Sequence, residues 1–137
     1  MNRAIDLPSA EDTVKLGEAL AKSFYPDLVI ALEGGLGAGK TTFVQGVLKG
    51  LGSKDQAQSP TFGLLHIYQA KLPIFHFDLY RLKGIEEFRS LGFEEYFDAG
   101  GVCLIEWSER ITPILPNNHW KLCLEPNQEG RKALLWA

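Results

Sequence analysis

The chain has 137 residues, of which 45% are hydrophobic and 23% charged. That composition excludes a disordered chain, a collagen-like repeat and a coiled coil, and the length fits one domain with a core of its own. Fourteen Lys and Arg against 17 Asp and Glu leave a net charge of −3, which excludes strong nucleic-acid binding by a basic surface acting alone.

No apolar run approaches the roughly 18 residues of a membrane span, and residues 1–6 do not predict a signal peptide. Ser9 is placed to cap a helix whose first turn carries Glu11 and Asp12. Val14, Leu16, Leu20, Ala21 and Phe24 follow at helical spacing, up to Pro26. Residues 28–32 (LVIAL) predict a strand buried on both faces. A glycine-rich loop comes next, then a second helix over 41–51, stopped by Gly50 and Gly52. Residues 62–69 (FGLLHIYQ) and 74–79 (IFHFDL) predict two strands, and the short link between them predicts an antiparallel hairpin. Helical material is expected over 84–91 and 94–97. Residues 102–105 (VCLI) predict another buried strand, ending at Glu106 and Trp107, after which Pro113 and Pro116 break the chain. Residues 120–124 and 132–136 flank 127–130 (NQEG) as a final hairpin. Helices and strands alternate early and strands dominate late, which predicts an α/β sheet of mixed strand directions in one domain over 1–137. Cys103 and Cys123 sit at strand-like positions without metal spacing, so a reducing cytoplasm is the expected compartment.

The glycine-rich loop carries the chemistry. Gly34-Gly35-Leu36-Gly37-Ala38-Gly39-Lys40-Thr41 matches G-x-x-x-x-G-K-[ST] at every fixed position. Glycines let the backbone wrap a phosphate chain with its N–H groups pointing inward, and the helix behind aims its positive end at the same phosphates. In this pattern Lys40 reaches the β- and γ-phosphates and the Thr41 hydroxyl takes Mg²⁺. Such a site also needs an acidic group at the end of a buried strand. Glu106 and Asp78 both qualify. Glu106 is assigned to the metal because its strand is the cleaner apolar run, and Asp78 to orienting the attacking water or the metal's water shell; the reverse assignment stays open. Thr61, 21 residues after Lys40, sits in a Ser-Pro-Thr loop that reads equally as a γ-phosphate sensor or a simple turn.

No Asn/Thr-Lys-x-Asp loop for guanine is present. Residues 98–101 match D-x-x-G but precede a strand instead of following one, so adenine is the expected base. A small-molecule or nucleotide kinase using the same loop is the rival reading, with Asp78 and Arg81 on a second substrate. A non-hydrolysing binding module is a third.

Taken together, GGLGAGKTT at 34–42, SPTF at 59–62, HFDLYR at 76–81 and IEW at 105–107 resemble the TsaE family. These are bacterial ATPases required for threonylcarbamoyl-adenosine (t6A) modification of tRNA, and the resemblance spans nearly the whole chain. It implies a P-loop NTPase-like three-layer α/β sandwich with a mixed parallel and antiparallel sheet. It implies binding of ATP or ADP with Mg²⁺, weak ATP hydrolysis, and action on TsaD and TsaB. Those partners would hold the tRNA, so this chain would reach it indirectly, with no membrane involved. By the same resemblance Gly37, Ala38, Gly39, Lys40, Thr41 and Thr42 would cradle the phosphates, and Thr41 and Glu106 would hold Mg²⁺. Asp78 and Lys40 would serve hydrolysis, and Thr61 would lie in a switch-like segment. Ser9, Glu11 and Arg131 are expected near the adenine. Trp107 is expected to pack in the core or near the site, His76 to pack in the sheet, and Tyr80 and Arg81 to contact a partner or phosphate. The family usually carries an acidic residue where this chain has Gly35, which puts any role of that carboxylate in doubt.

Overall fold

The apolar runs become the middle of one sheet because only a strand covered on both faces can bury so many consecutive side chains. The computed structural model describes residues 2–35, 39–58, 64–128 and 130–137. Its strands are β1 (Asn2–Leu7), β2 (Val29–Glu33), β3 (Leu65–Tyr68), β4 (Ile74–Asp78), β5 (Val102–Glu106), β6 (Trp120–Asn127) and β7 (Gly130–Trp136). They form a single sheet in the order β1-β7-β6-β2-β5-β4-β3. β2 pairs parallel with β5 and β6, and β5 pairs parallel with β4. The outer pairs β3–β4, β6–β7 and β1–β7 are antiparallel. The helices are α1 (Ala10–Ala21), α2 (Lys40–Gly50) and α3 (Ile85–Ser90), with 3-10 segments at Phe93–Asp98 and Ser108–Ile114.

Side chains alternate across the sheet and feed two cores. Ile30, Leu32, Ile74, Val102 and Leu104 face α1 and α2, where they meet Leu16, Leu20, Phe43, Val44, Val47 and Leu48. Val29, Phe75, Phe77, Cys103 and Ile105 face the other way, onto Phe88, Phe97 and Ile111. The result is the expected α/β arrangement of helical layers on both sides of a mixed sheet. No helix among the described residues is long and apolar enough to cross a membrane.

Ser9 caps α1 as predicted and does so reciprocally. Its Oγ accepts the Asp12 N–H, and the Asp12 carboxylate accepts the Ser9 N–H at 3.0 Å and the Ser9 hydroxyl at 2.7 Å. α1 ends at Ala21, so Phe24 lies beyond the helix; it is buried all the same, edge-on to Trp120 at 6.0 Å. α1 and α2 approach closely through two glycines. A Cβ on Gly17 would stand 2.5 Å from the Phe43 carbonyl oxygen, and one on Gly46 would collide with the Val14 carbonyl. This contact fixes where α2, and therefore its first residue, sits against the sheet.

Three elements depart from the sequence reading. β1 was not predicted: only Leu7 is buried, and the strand exists because its backbone pairs along β7 from Asn2↔Trp136 to Leu7↔Arg131. Pro113 lies inside the 3-10 region Ser108–Ile114, and the chain kinks two residues earlier, at the buried, non-helical Ile111 (φ −133). The strand expected over 62–69 is Leu65–Tyr68, with 62 and 63 outside the described residues.

Gly46→Ala is expected to lower stability by about 1–3 kcal/mol through overpacking against α1; an unchanged urea midpoint would show that the helices can separate freely. Burial, and after it the charge of Asp27, push the Cys103 thiol up to about 12. A thiol reagent at pH 8 should therefore leave Cys103 unmodified in the folded protein and label it only after denaturation.

Candidate nucleotide site

Three parallel strands deliver their carboxyl ends to one edge. The register sets Leu32 beside Glu106 and Glu106 beside Asp78, and the Leu79 N–H continues the ladder to the Glu106 carbonyl at 3.1 Å. Alternation puts His76 and Asp78 on the same face of β4 as Ile74, and Glu106 on the same face of β5 as Leu104. That is the face covered by α2. The chain leaves β2 at Glu33, passes through the glycine loop and re-enters as α2 at Lys40. Gly39, at φ 96, supplies the left-handed conformation needed to start the helix there.

Lys40 and Glu106 form an ion pair, Nζ to Oε1 at 3.0 Å. Lys40 Nζ also donates to the Gly34 carbonyl at 2.8 Å, which closes the mouth of the loop on itself. The second Glu106 oxygen, Oε2, lies 2.6 Å from Nε2 of His76. Glu106 is only 6% exposed and His76 is fully buried. Burial alone would raise the Glu106 pKa. His76 and then Lys40 outweigh that and hold the carboxyl below its ordinary value, so it is ionised at neutral pH. Asp78 is half-buried, and its Oδ1 accepts the Tyr80 N–H at 3.0 Å.

The start of α2 suits an anion. Among the described residues no side chain caps it, and no acidic residue stands in its first turn, in contrast to α1. Its N-terminal N–H groups and the positive end of its dipole suit a negatively charged ligand. Thr41 and Thr42 occupy this first turn, both half-buried. Gly37 and Ala38 lie outside the described residues, as does Thr61. The stretch leading to Thr61 is tied down by two bonds: the Ala57 N–H donates to Gln45 Oε1 at 2.8 Å, and the Gln58 N–H to the Tyr68 hydroxyl at 2.9 Å.

Beside the helix start is a cleft of about 110 Å³ whose walls include Ser9, Thr13, Gly39, Thr42 and Arg131. It adjoins a wider cleft of about 290 Å³ between Asp6, Pro8, Asn127, Gln128 and Arg131. Arg131 packs against Gly39, since a Cβ there would meet its Nε at 3.3 Å. Of the three residues expected near a base, Ser9 and Arg131 therefore share one cleft with Gly39 and Thr42. Glu11 is not in its walls; it is exposed and pairs with Lys15 at 3.6 Å.

His76 packs in the sheet as expected, and its imidazole also meets Glu106. Of the two placements expected for Trp107, core or near-site packing, it takes the second: it is 39% exposed and adopts a left-handed backbone at φ 60, with Tyr80 at 5.0 Å on its ring and the Arg110 guanidinium at 5.6 Å. Arg110 also donates to the Tyr80 carbonyl at 3.1 Å, a contact the sequence reading missed. Tyr80 and Arg81 are both exposed. Gly35 is exposed with open space where a Cβ would stand.

In the protein without nucleotide, a double-mutant cycle of Lys40→Met and Glu106→Gln should give a coupling of about 0.5–3 kcal/mol in urea unfolding. Additive effects would mean that the ion pair does not persist in solution. Gly35→Asp should fold with stability within about 0.5 kcal/mol of the parent, because the position is solvent-facing and unobstructed.

Comparison with known proteins agrees with this geometry. The profile of a family described as "Threonylcarbamoyl adenosine biosynthesis protein TsaE" matches residues 7–133. A Treponema pallidum protein named "tRNA threonylcarbamoyladenosine biosynthesis protein TsaE" is 38% identical over 129 residues, covering 94% of this chain and 96% of the relative. The Bacillus subtilis protein of the same name is 40% identical over 136 residues, covering 98% and 83%. Among solved structures, Bacillus subtilis YdiB superposes with a TM-score of 0.76 at 32% identity, covering 98% of this chain and 83% of that one. With its motifs, its sheet order and its relatives in agreement, the chain belongs to the TsaE family, which takes part in the biosynthesis of threonylcarbamoyl-adenosine in tRNA.

Proposed function

We propose that this chain binds ATP with Mg²⁺ and hydrolyses it, as the cytoplasmic ATPase that acts on a TsaD–TsaB complex during t6A formation. The observation that carries the reading is the position of Lys40: at the start of α2, between the loop carbonyl of Gly34 and the ionised Glu106. The donor set suits a nucleotide and a hard divalent cation, with one ammonium, helix N-terminal N–H groups, a threonine hydroxyl and a carboxylate held in the charged state.

The loop from Gly37 to Thr42 would hold the phosphates, with Lys40 leaving Glu106 to join them. Thr41 and Glu106 would hold Mg²⁺, which supplies neutralisation of the charge that develops as the terminal phosphoryl group departs. Asp78 orients the attacking water from the strand end beside Glu106. Its Oδ1 bond to the Tyr80 N–H keeps the carboxylate turned to one side. Thr61 acts as the residue that senses the terminal phosphate. Ser9 and Arg131 border the space for the base. The chain is small and mildly acidic, so the tRNA is held by the partners and reached through them.

Lys40→Ala should weaken ATP binding by about tenfold or more, since a charge-assisted bond of about 1.5–3 kcal/mol is removed. Asp78→Ala should lower kcat by about a hundredfold while ATP affinity stays within a few-fold. Calorimetry and phosphate release measure both; the reverse pattern for Asp78 would exchange the roles of the two acids. The released product decides the reaction class. Free phosphate supports an ATPase, whereas a phosphorylated acceptor makes the chain a small-molecule kinase. Complementation of cells depleted of their own TsaE, read as t6A in tRNA, tests the pathway.

A further inference from the structure

Glu106 is gripped on both oxygens by partners of different character. Lys40, on Oε1, sits on a flexible four-carbon stem that reaches from a helix start. His76, on Oε2, projects from the middle of β4, whose backbone is paired on both sides, His66↔His76 toward β3 and His76↔Leu104 toward β5. Its ring is fully buried, so it has no room to swing away. Because Glu106 is ionised and can only accept, His76 Nε2 must carry the hydrogen. The other ring nitrogen, Nδ1, is buried and has no hydrogen-bond partner among the described residues. An unpartnered buried nitrogen is a cost that a leucine at this strand position would not incur. The one satisfied atom of the imidazole is the one that faces Glu106.

We propose that His76 is the positioning residue for Glu106: its Nε2–H fixes one carboxylate oxygen in place, so that the other can pass from Lys40 to a divalent cation without the side chain turning. The inference rests on the reading above in which Glu106 serves Mg²⁺ in a nucleotide site. His76 touches neither nucleotide nor metal. It acts through Glu106, in the way that outer-shell partners orient metal-binding carboxylates.

The test is calorimetric titration of ADP into the whole chain, with and without Mg²⁺, for the parent protein, His76→Leu and His76→Gln. Thermal unfolding of each is followed in parallel. His76→Leu should keep its Mg²⁺-free ADP affinity within about twofold of the parent, yet lose about tenfold or more of the gain that Mg²⁺ brings. His76→Gln, whose side-chain amide can donate toward Oε2, should recover most of that gain. Should His76→Leu fail to fold, His76→Asn takes its place, since its amide is too short to reach Glu106, and the same loss is expected. A full Mg²⁺ gain in the Leu or Asn variant overturns the proposal. So does an equal loss with and without Mg²⁺ that Gln does not rescue, which would mark His76 as a packing residue. A parent protein whose ADP affinity ignores Mg²⁺ overturns the nucleotide–metal reading itself, a result visible before any variant is compared.

Discussion

Because β2, β5 and β4 run parallel and in register, their carboxyl ends arrive together at one edge of the sheet. Leu32, Glu106 and Asp78 stand side by side there. An antiparallel arrangement would have sent one of the acids to the far end of the sheet. Parallel pairing requires long crossovers, and the first of these is the glycine loop followed by α2. The connection from β2 to α2 ends at Lys40, which is thereby delivered to Glu106.

The charged cluster is tolerable only because its surroundings are rigid. A carboxylate as buried as Glu106 is costly unless it is fully bonded. Its two partners come from different elements, one from β4 and one from α2. α2 is in turn fixed against α1 by the close approaches at Gly17, on α1, and Gly46, on α2, where no side chain intervenes to let the helices slide. Packing far from the site thus sets the geometry within it. On the opposite face, the aromatic set of Phe77, Phe88, Phe93 and Tyr96 backs the same strands and keeps β4 from shifting along β5.

Much of this was legible before any coordinates. β2 and β5 were visible because strands buried on both faces are apolar without interruption, and the glycine loop because its spacing is dictated by phosphate geometry. The sequence offered both Glu106 and Asp78 as strand-end acids, and Glu106 is the one that Lys40 meets. The bond between His76 and Glu106 was not read, because it joins residues 30 apart and depends on the register of two strands. The clue was present in the alternation of Ile74, His76 and Asp78, which puts an imidazole on the same face as the acid. β1 was illegible for a different reason: it buries one side chain and owes its existence to the backbone of β7. For Trp107 the sequence left core and near-site packing open, and a left-handed turn at that residue decides it by bringing the ring out to Tyr80 and Arg110.

The closed hand of Lys40 has a consequence for selectivity. Its ammonium already holds a carbonyl and a carboxylate, so an anion must outcompete two resident ligands to capture it. A singly charged anion offers little more than the glutamate it displaces. A polyphosphate brings several negative oxygens at once and can also engage the N-terminal N–H groups of α2. Under the proposed nucleotide reading, chloride and simple carboxylates would therefore compete poorly for Lys40, and a polyphosphate would compete best.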